Sequence, residues 1–262
     1  CSGWGGKNYR EFILPVMVCR SGDGGKTWGR NGSVILPEGM PSLIPYGDVI
    51  KINNEILAVP MYNGWFRANQ NRAYLLFSYD DGRTWENPFI IGESGHKESE
   101  YNLYLNFNET SVLPLRSNRW LAVARRYTPS ADLQLLISEN SGKYWKIPEE
   151  LLRKGITGKS EHPGHLLRLK DGRILLTYGI RWGERGIGAR ISDDEGRTWS
   201  LPMVVIHYGG KDGGYPSSVQ LENGTIVTAY HSDKNRFHHH HNTHLRHKLQ
   251  LQHWHRTRAT CL

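Results

Sequence analysis

The chain has 262 residues, of which 38% are hydrophobic and 22% charged, with a formal net charge of +8. This length and composition indicate a globular protein with a sizeable core. The sequence contains no run of 18 apolar residues, so it predicts no membrane span. Residues 231–262 hold six Lys or Arg and one acid, a charge of +5, so the other 230 residues carry 8 − 5 = +3. That charge is too small to predict a nucleic-acid-binding face.

Strand and turn signals alternate along the whole chain. In order, the sequence predicts strands over residues 13–20, 73–77, 133–137 and 188–191. Each is followed by a polar turn that ends in Trp, at residues 21–28, 78–85, 138–145 and 192–199. A predicted hairpin follows each of these turns, over residues 49–62, 110–125, 165–178 and 217–230. The Trp-to-Trp spacings of 57, 60 and 54 residues define an internal repeat.

The turn has the form S-x-D-x-G-x-T-W, and its residue types explain its shape. An Asp side chain accepts hydrogen bonds from backbone N–H groups a few residues on, and Gly supplies a positive φ. Thr can close the turn with its hydroxyl, and we expect Trp to pack on the sheet. The third copy has Asn140 in place of Asp and Tyr144 in place of Thr. Since Asn keeps an acceptor oxygen, this copy should still form the turn.

One hairpin plus one turn-linked strand pair makes four antiparallel strands in under 60 residues, which is one propeller blade. The sequence therefore predicts an all-β propeller domain over residues 1–232. About four blades of an expected six are present. Residues 233–262 form a separate His-rich tail. From Phe237 onward the tail has eight His and no acid, so we expect no blade strand from it.

The four turns and their hairpins resemble the Asp-box or BNR-repeat proteins of the sialidase (neuraminidase) superfamily. The resemblance covers roughly residues 10–232 and implies a site on the propeller axis, where inner strands begin. There, Tyr215 matches the nucleophile and Glu109 the base that activates it. Arg125 matches a carboxylate-binding residue, and Arg181 or Arg185 the next such arginine. His162 starts an equivalent inner strand, and we expect it to contact sugar at the rim or simply to pack, rather than to bind a metal. The resemblance implies neither a metal nor a cofactor.

The chemistry of such a set is coherent. Sialic acid carries a carboxylate on its anomeric carbon, and guanidinium groups bind carboxylates with two parallel hydrogen bonds. A carboxylate nucleophile would be repelled by that group, so a neutral Tyr serves instead. Two parts of the family pattern have no match. Residues 1–22 contain no Asp to act as general acid, and Arg10 is a poor substitute for the first arginine.

These residues favour a sialidase-like glycosidase that releases terminal sialic acid or a related acidic sugar from a glycan. Two alternatives stay open. One is a non-catalytic propeller that binds glycans, and the other is a hydrolase or lyase for a different sugar on the same fold. The first residues, Cys-Ser-Gly, match the start of a mature bacterial lipoprotein and equally a cut sequence. We expect a secreted, periplasmic or lipid-anchored location, and a glycan or sialoside as the partner.

Overall fold

The computed structural model describes residues 4–5, 12–40, 42–63, 72–93, 107–126, 132–152, 154–233 and 249–254. Almost all regular structure in these ranges is strand, and the one described helix is a 3-10 turn at Glu149–Leu151. This confirms the all-β prediction. None of the described helical structure is long and apolar enough to cross a membrane. Arg10 lies outside the described residues.

The strands form successive antiparallel sheets, which we call blades A to D. Two strand pairs precede them: β1 (Trp4–Gly5) with β2 (Phe12–Ile13), and β3 (Met17–Arg20) with β4 (Gly29–Ser33). Blade A contains β5 (Leu43–Pro45), β6 (Ile50–Lys51), β7 (Leu57–Asn63), β8 (Arg72–Ser78) and β9 (Glu86–Glu93). Strands β5 and β6 both pair with β7, so together they form the inner strand of the blade.

Blades B, C and D repeat this order. Blade B contains β10 (Phe107–Pro114), β11 (Trp120–Arg126) and β12 (Leu133–Ser138). Blade C contains β13 (Glu161–Arg168), β14 (Ile174–Ile180), β15 (Gly186–Ser192) and β16 (Met203–His207). Blade D contains β17 (Gly213–Gln220), β18 (Ile226–Ser232) and β19 (Leu249–Trp254). The inner strands β10, β13 and β17 pack side by side, which confirms a propeller arrangement. The total number of blades stays a prediction.

The four turns have the hydrogen bonds that their residue types predict. In the fourth, Asp194 accepts the Thr198 N–H at 2.8 Å and its hydroxyl at 2.6 Å. Burial opposes ionisation, but these Thr198 bonds outweigh it and hold the pKa of Asp194 at about 2. Asn140 keeps one equivalent bond, from the Tyr144 N–H at 2.9 Å. The first Ser adds a contact that was not expected: in each copy its hydroxyl accepts the Gly N–H, at 2.7–2.9 Å.

The hydrophobic core lies in the interfaces, or seams, between neighbouring blades, and tryptophans of the turns pack at these interfaces. Trp85 packs with Leu43 of blade A and with Val16, which directly precedes β3, and Trp145 packs between blades A and B. Trp28 differs, because it is 65% exposed. The described residues provide no seam on its N-terminal side, so its ring covers only its own turn and bonds Gly25 O at 3.1 Å.

Two blades depart from the expected four-stranded form. In blade B the fourth strand is reduced to one bridge, between Ile137 and Lys146. Pro148 follows, and because proline has no N–H the chain leaves the sheet and enters the 3-10 turn. In blade D, β19 pairs with β18 in parallel. The expectation that the tail contributes no strand is therefore wrong for residues 249–254. The domain boundary at residue 232 stays a prediction.

Candidate active site

The inner strands of blades B, C and D each begin with an irregular pairing. The register shifts between Phe107 and Thr110, between Glu161 and Gly164, and between Gly214 and Ser217. Such bulges break the regular alternation of side chains and re-aim one of them. Glu109, His162 and Tyr215 each lie within one of the three shifts. Three side chains far apart in sequence thereby point toward one end of the axis.

The backbone at Tyr215 is unusual. Gly214 has φ +109° and Tyr215 has φ +56°, a left-handed conformation that is costly for a bulky side chain. The neighbouring strand comes very close at this point. A Cβ on Gly179 would lie 2.8 Å from His162 O and 2.9 Å from the Gly214 Cα. Glycine at 179 therefore allows β14 to approach β17, and the strained turn sends the Tyr215 ring across the axis.

Tyr215, Glu109 and Arg125 form one hydrogen-bonded chain. The Tyr215 hydroxyl donates to Glu109 Oε1 at 2.8 Å, and Arg125 Nη1 donates to Glu109 Oε2 at 2.8 Å. The side chains of Arg125 and Glu109 are 12% and 4% exposed, whereas Tyr215 is 38% exposed. The Tyr215 residue is thus partly exposed to solvent, whereas the carboxylate behind it is buried.

Burial and the neighbouring charges determine the protonation of this hydrogen-bonded set of side chains. Burial of the phenol raises the pKa of Tyr215 well above 10, and the adjacent Glu109 carboxylate raises it further. Burial works against the charge of Arg125, but Glu109 outweighs it, so the pKa of Arg125 is raised. At neutral pH the site therefore presents a neutral phenol whose proton already lies on a hydrogen bond to a carboxylate.

The two candidate arginines after β14 have different surroundings. The Arg181 guanidinium carbon lies 5.6 Å from the centre of the Tyr215 ring, and its Nη2 pairs with Asp212 at 2.6 Å. Arg185 donates to Gly210 O at 3.4 Å. No contact among the described residues links Arg185 to Tyr215 or Glu109. Of the two arginines, Arg181 is the one in the site.

His162 is buried beside both site arginines. It is 4% exposed, and its Nδ1 has no hydrogen-bond partner among the described residues. Burial lowers the pKa of His162 to about 2, and the charges of Arg125 and Arg181 act in the same direction. The imidazole is therefore neutral at physiological pH. It is a buried polar group within the reach of two cations rather than an exposed rim residue.

Three residues of the axial region were not predicted. The Tyr46 hydroxyl donates to Gly164 O at 3.2 Å, and its ring meets the Tyr215 ring edge-on, with centres 6.3 Å apart. Asp48 accepts from His165 Nε2 at 3.0 Å. This bond lowers the pKa of Asp48 although burial opposes the shift. The sequence offers one signal for Tyr46, which is its position directly after β5 in the inner strand of blade A. A single tyrosine at that position cannot be told apart, from sequence, from a tyrosine that only packs.

Comparison with known proteins agrees with this architecture. The BNR repeat-like domain family matches residues 2–228. No match was found among curated proteins. A solved protein of unknown function from Dyadobacter fermentans DSM 18053 is 26% identical, with a TM-score of 0.66, over 87% of this chain and 62% of its own. The chain thus spans about three-fifths of that neighbour's length.

More distant structures share the fold. The endo-arabinase from Bacteroides thetaiotaomicron VPI-5482 has a TM-score of 0.52 at 16% identity, over 71% of this chain and 68% of its own. A fructofuranosidase from Schwanniomyces occidentalis has a TM-score of 0.51 at 11% identity, over 71% of this chain and 42% of its own. At such identities the likeness is one of fold.

Proposed function

This chain belongs to the BNR repeat-like domain family, and we propose that it is a carbohydrate-processing protein with a sialidase-like site. The proposal is that it releases a terminal sialic acid or a related acidic sugar by a retaining mechanism. The observation that carries it is the bond of 2.8 Å between the Tyr215 hydroxyl and Glu109. The structural neighbours named endo-arabinase and fructofuranosidase add support for a carbohydrate as substrate class.

In the proposed first step, Tyr215 Oη attacks the anomeric carbon while the bond to the leaving group breaks. The phenol proton passes to Glu109 Oε1, and the leaving oxygen takes a proton from a general acid. A covalent Tyr215–sugar aryl glycoside is formed with inversion. Water then attacks the same carbon and gives a proton to the conjugate base of the general acid, while Tyr215 leaves and takes back the proton held by Glu109, so the overall configuration is retained. The general acid is expected from a part of the protein other than residues 1–22.

The electrostatics support an anionic substrate. A neutral phenol can approach a sugar that bears a carboxylate without charge repulsion, whereas Asp or Glu could not. Arg181 lies beside the Tyr215 ring and Arg125 behind Glu109. Two cations near the anomeric centre would attract the substrate carboxylate and stabilise charge that develops on the phenol oxygen. The strained backbone at Tyr215 also fits a reactive position.

A second candidate is a non-catalytic glycan-binding propeller. It is favoured by the two bonds that Glu109 already makes, because both carboxylate oxygens are occupied by Tyr215 and Arg125. In that reading Glu109 holds the tyrosine in place and no proton moves. The two readings differ in whether Tyr215 forms a covalent bond with the sugar.

A substrate that needs no general acid separates these readings. We expect the full chain to react with a 3-fluorosialosyl fluoride, in which fluoride leaves unaided, and to gain one sialosyl group on Tyr215 by mass spectrometry. Tyr215→Phe should gain none, while Tyr79→Phe, an exposed tyrosine at 52%, should react as the wild type does. An unlabelled wild type that still binds sialic acid through Arg125 and Arg181 would leave the glycan-binding reading in place.

A further inference from the structure

The Asp-box turns of blades B and C pack against the blade that precedes each of them in sequence. The contact falls on the residue that stands eight positions before the tryptophan of the preceding blade's own turn. Trp145 of blade B and Phe77 of blade A are buried in one core cluster. Trp199 of blade C and Ile137 of blade B likewise pack on one cluster. Each of these blades therefore offers an apolar position to the tryptophan of the next turn.

The backbone of the packed turn is also bound by the preceding blade. Arg119 directly precedes β11 of blade B, and its Nη1 donates to Glu195 O at 2.8 Å. Glu195 lies in the turn of blade C, directly before Gly196 of that turn. The surface that receives a turn thus consists of an apolar residue for the tryptophan and an arginine for a backbone carbonyl.

A pocket with a volume of about 630 Å³ opens at the same place on blade C. It is lined by Ile191, which stands eight positions before Trp199 and so matches Phe77 and Ile137 of the other blades. Leu201, which is 85% exposed, lines it as well. The sequence contains no further S-x-D-x-G-x-T-W turn beyond residue 199. Blade D therefore brings no Asp-box turn of its own to this pocket.

The arginine of the receiving surface is present in this pocket too. Arg173 lines the pocket and directly precedes β14, as Arg119 directly precedes β11. In both blades the residue after the arginine pairs with the first Ser of that blade's own turn. The Arg173 side chain is 34% exposed and pairs with Asp171 at 2.7 Å. Because a guanidinium has five N–H donors, this pair leaves donors for a carbonyl.

The first Asp-box turn has the shape that such a pocket receives. Trp28 is 65% exposed, whereas Trp85 and Trp145 are buried. The turn is nevertheless fully formed, because Trp28 Nε1 donates to Gly25 O at 3.1 Å. Buried Trp145 makes the same bond to Gly142 O, at 2.8 Å. A preformed turn loses little conformational freedom when it binds.

We propose that the first Asp-box turn of one copy of this chain docks in the pocket on blade C of a second copy. Trp28 packs on Ile191, and the carbonyl of Gly24, directly before Gly25 of its turn, accepts from Arg173. Tryptophan and arginine are the residue types that contribute most to protein interfaces. A reciprocal contact of this kind gives a two-fold dimer. The inference does not depend on the proposed catalytic function, because none of these residues belongs to the axial site.

The test measures the mass of the full chain by light scattering over a series of protein concentrations. The mass of wild type should rise from 30.0 kDa toward twice that value. Trp28→Ala should raise the Kd of self-association about thirtyfold, the loss typical of a tryptophan at the centre of an interface. Tyr144→Ala is the matched control, since Tyr144 is an aromatic residue of the third turn with 69% exposure. It should associate as wild type does.

Variants of the pocket test the other half of the contact. Leu201→Lys places a charge in the pocket and should weaken association as strongly as Trp28→Ala, whereas Leu221→Lys, at a residue that is 41% exposed outside the pocket, should not. A mixture of Trp28→Ala and Leu201→Lys should associate more tightly than either variant alone, because one supplies an intact pocket and the other an intact Trp28. A wild type that stays at 30.0 kDa at every concentration would overturn the proposal. Variants that associate as tightly as wild type, or a mixture no tighter than its components, would also overturn it.

Discussion

The neutral, buried imidazole of His162 couples the stability of the protein to pH. Its pKa is lowered to about 2, first by burial and then by Arg125 and Arg181. In the unfolded chain it returns to about 6.5. Below pH 6.5 the unfolded state therefore binds a proton that the folded state does not, and the free energy of unfolding falls as the pH falls. This destabilisation is absent above pH 6.5 and increases as the pH falls toward the folded-state pKa.

The magnitude follows from the pKa difference. From pH 6.5 to pH 4.5 the unfolded His162 is protonated and the folded one is not, so the loss is about 1.36 kcal/mol per pH unit, or about 2.7 kcal/mol in all. His162→Gln cannot take up the proton. The difference in unfolding free energy between wild type and His162→Gln should therefore shift by about 2.7 kcal/mol, in favour of the variant, between pH 7.5 and pH 4.5.

Urea denaturation followed by tryptophan fluorescence at the two pH values measures this shift. His207→Gln controls for the loss of a histidine as such, because the His207 side chain is 48% exposed and lies next to Glu184. A difference between wild type and His162→Gln that stays constant with pH would refute the reasoning. It would show that His162 is protonated in the folded state or reaches water when it titrates.

Two further predictions concern the fold. Asp194→Ala should lower the free energy of unfolding by about 2 kcal/mol through loss of both Thr198 bonds. Asp194→Asn should lower it less, because Asn140 fills the same role in the third turn. Equal thermal melting temperatures of both variants and wild type would contradict this. Gly179→Ala should cost about 1–3 kcal/mol, since the new methyl group meets backbone atoms of two strands. Gly22→Ala, with open space around it, is its control, and equal denaturation midpoints would show that the strands can separate freely.

Much of the fold could be predicted because its signals are local. Each Asp-box turn spans eight residues, and the groups that hydrogen-bond within it are no more than four residues apart, as Asp23 and Thr27 are. The hairpins likewise join neighbouring segments. The pairing of Tyr215 with Glu109 was expected from the family resemblance, and the structure places the two in contact across 106 residues of sequence. Their catalytic roles remain a proposal.

The tertiary structure decided what depends on several blades at once. Sequence spacing did not separate Arg181 from Arg185, because four residues in a loop can point in any direction. Arg181 lies at Tyr215 because β14 ends at Ile180 and the next N–H bonds to Ser160. The same holds for Trp28, which is exposed although its turn has the same S-x-D-x-G-x-T-W motif as the turn of buried Trp85.

The sequence by itself thus determined the repeating unit, its turns and the residue types available to the site. Burial, charge environment and accessibility came only from the assembled blades. His162 shows the reason most clearly: its lowered pKa arises first from burial away from water and then from the charges of Arg125 on β11 and Arg181 beyond β14. Electrostatic interactions depend on distances in space and on local burial, and neither is fixed by the separation of residues along the chain.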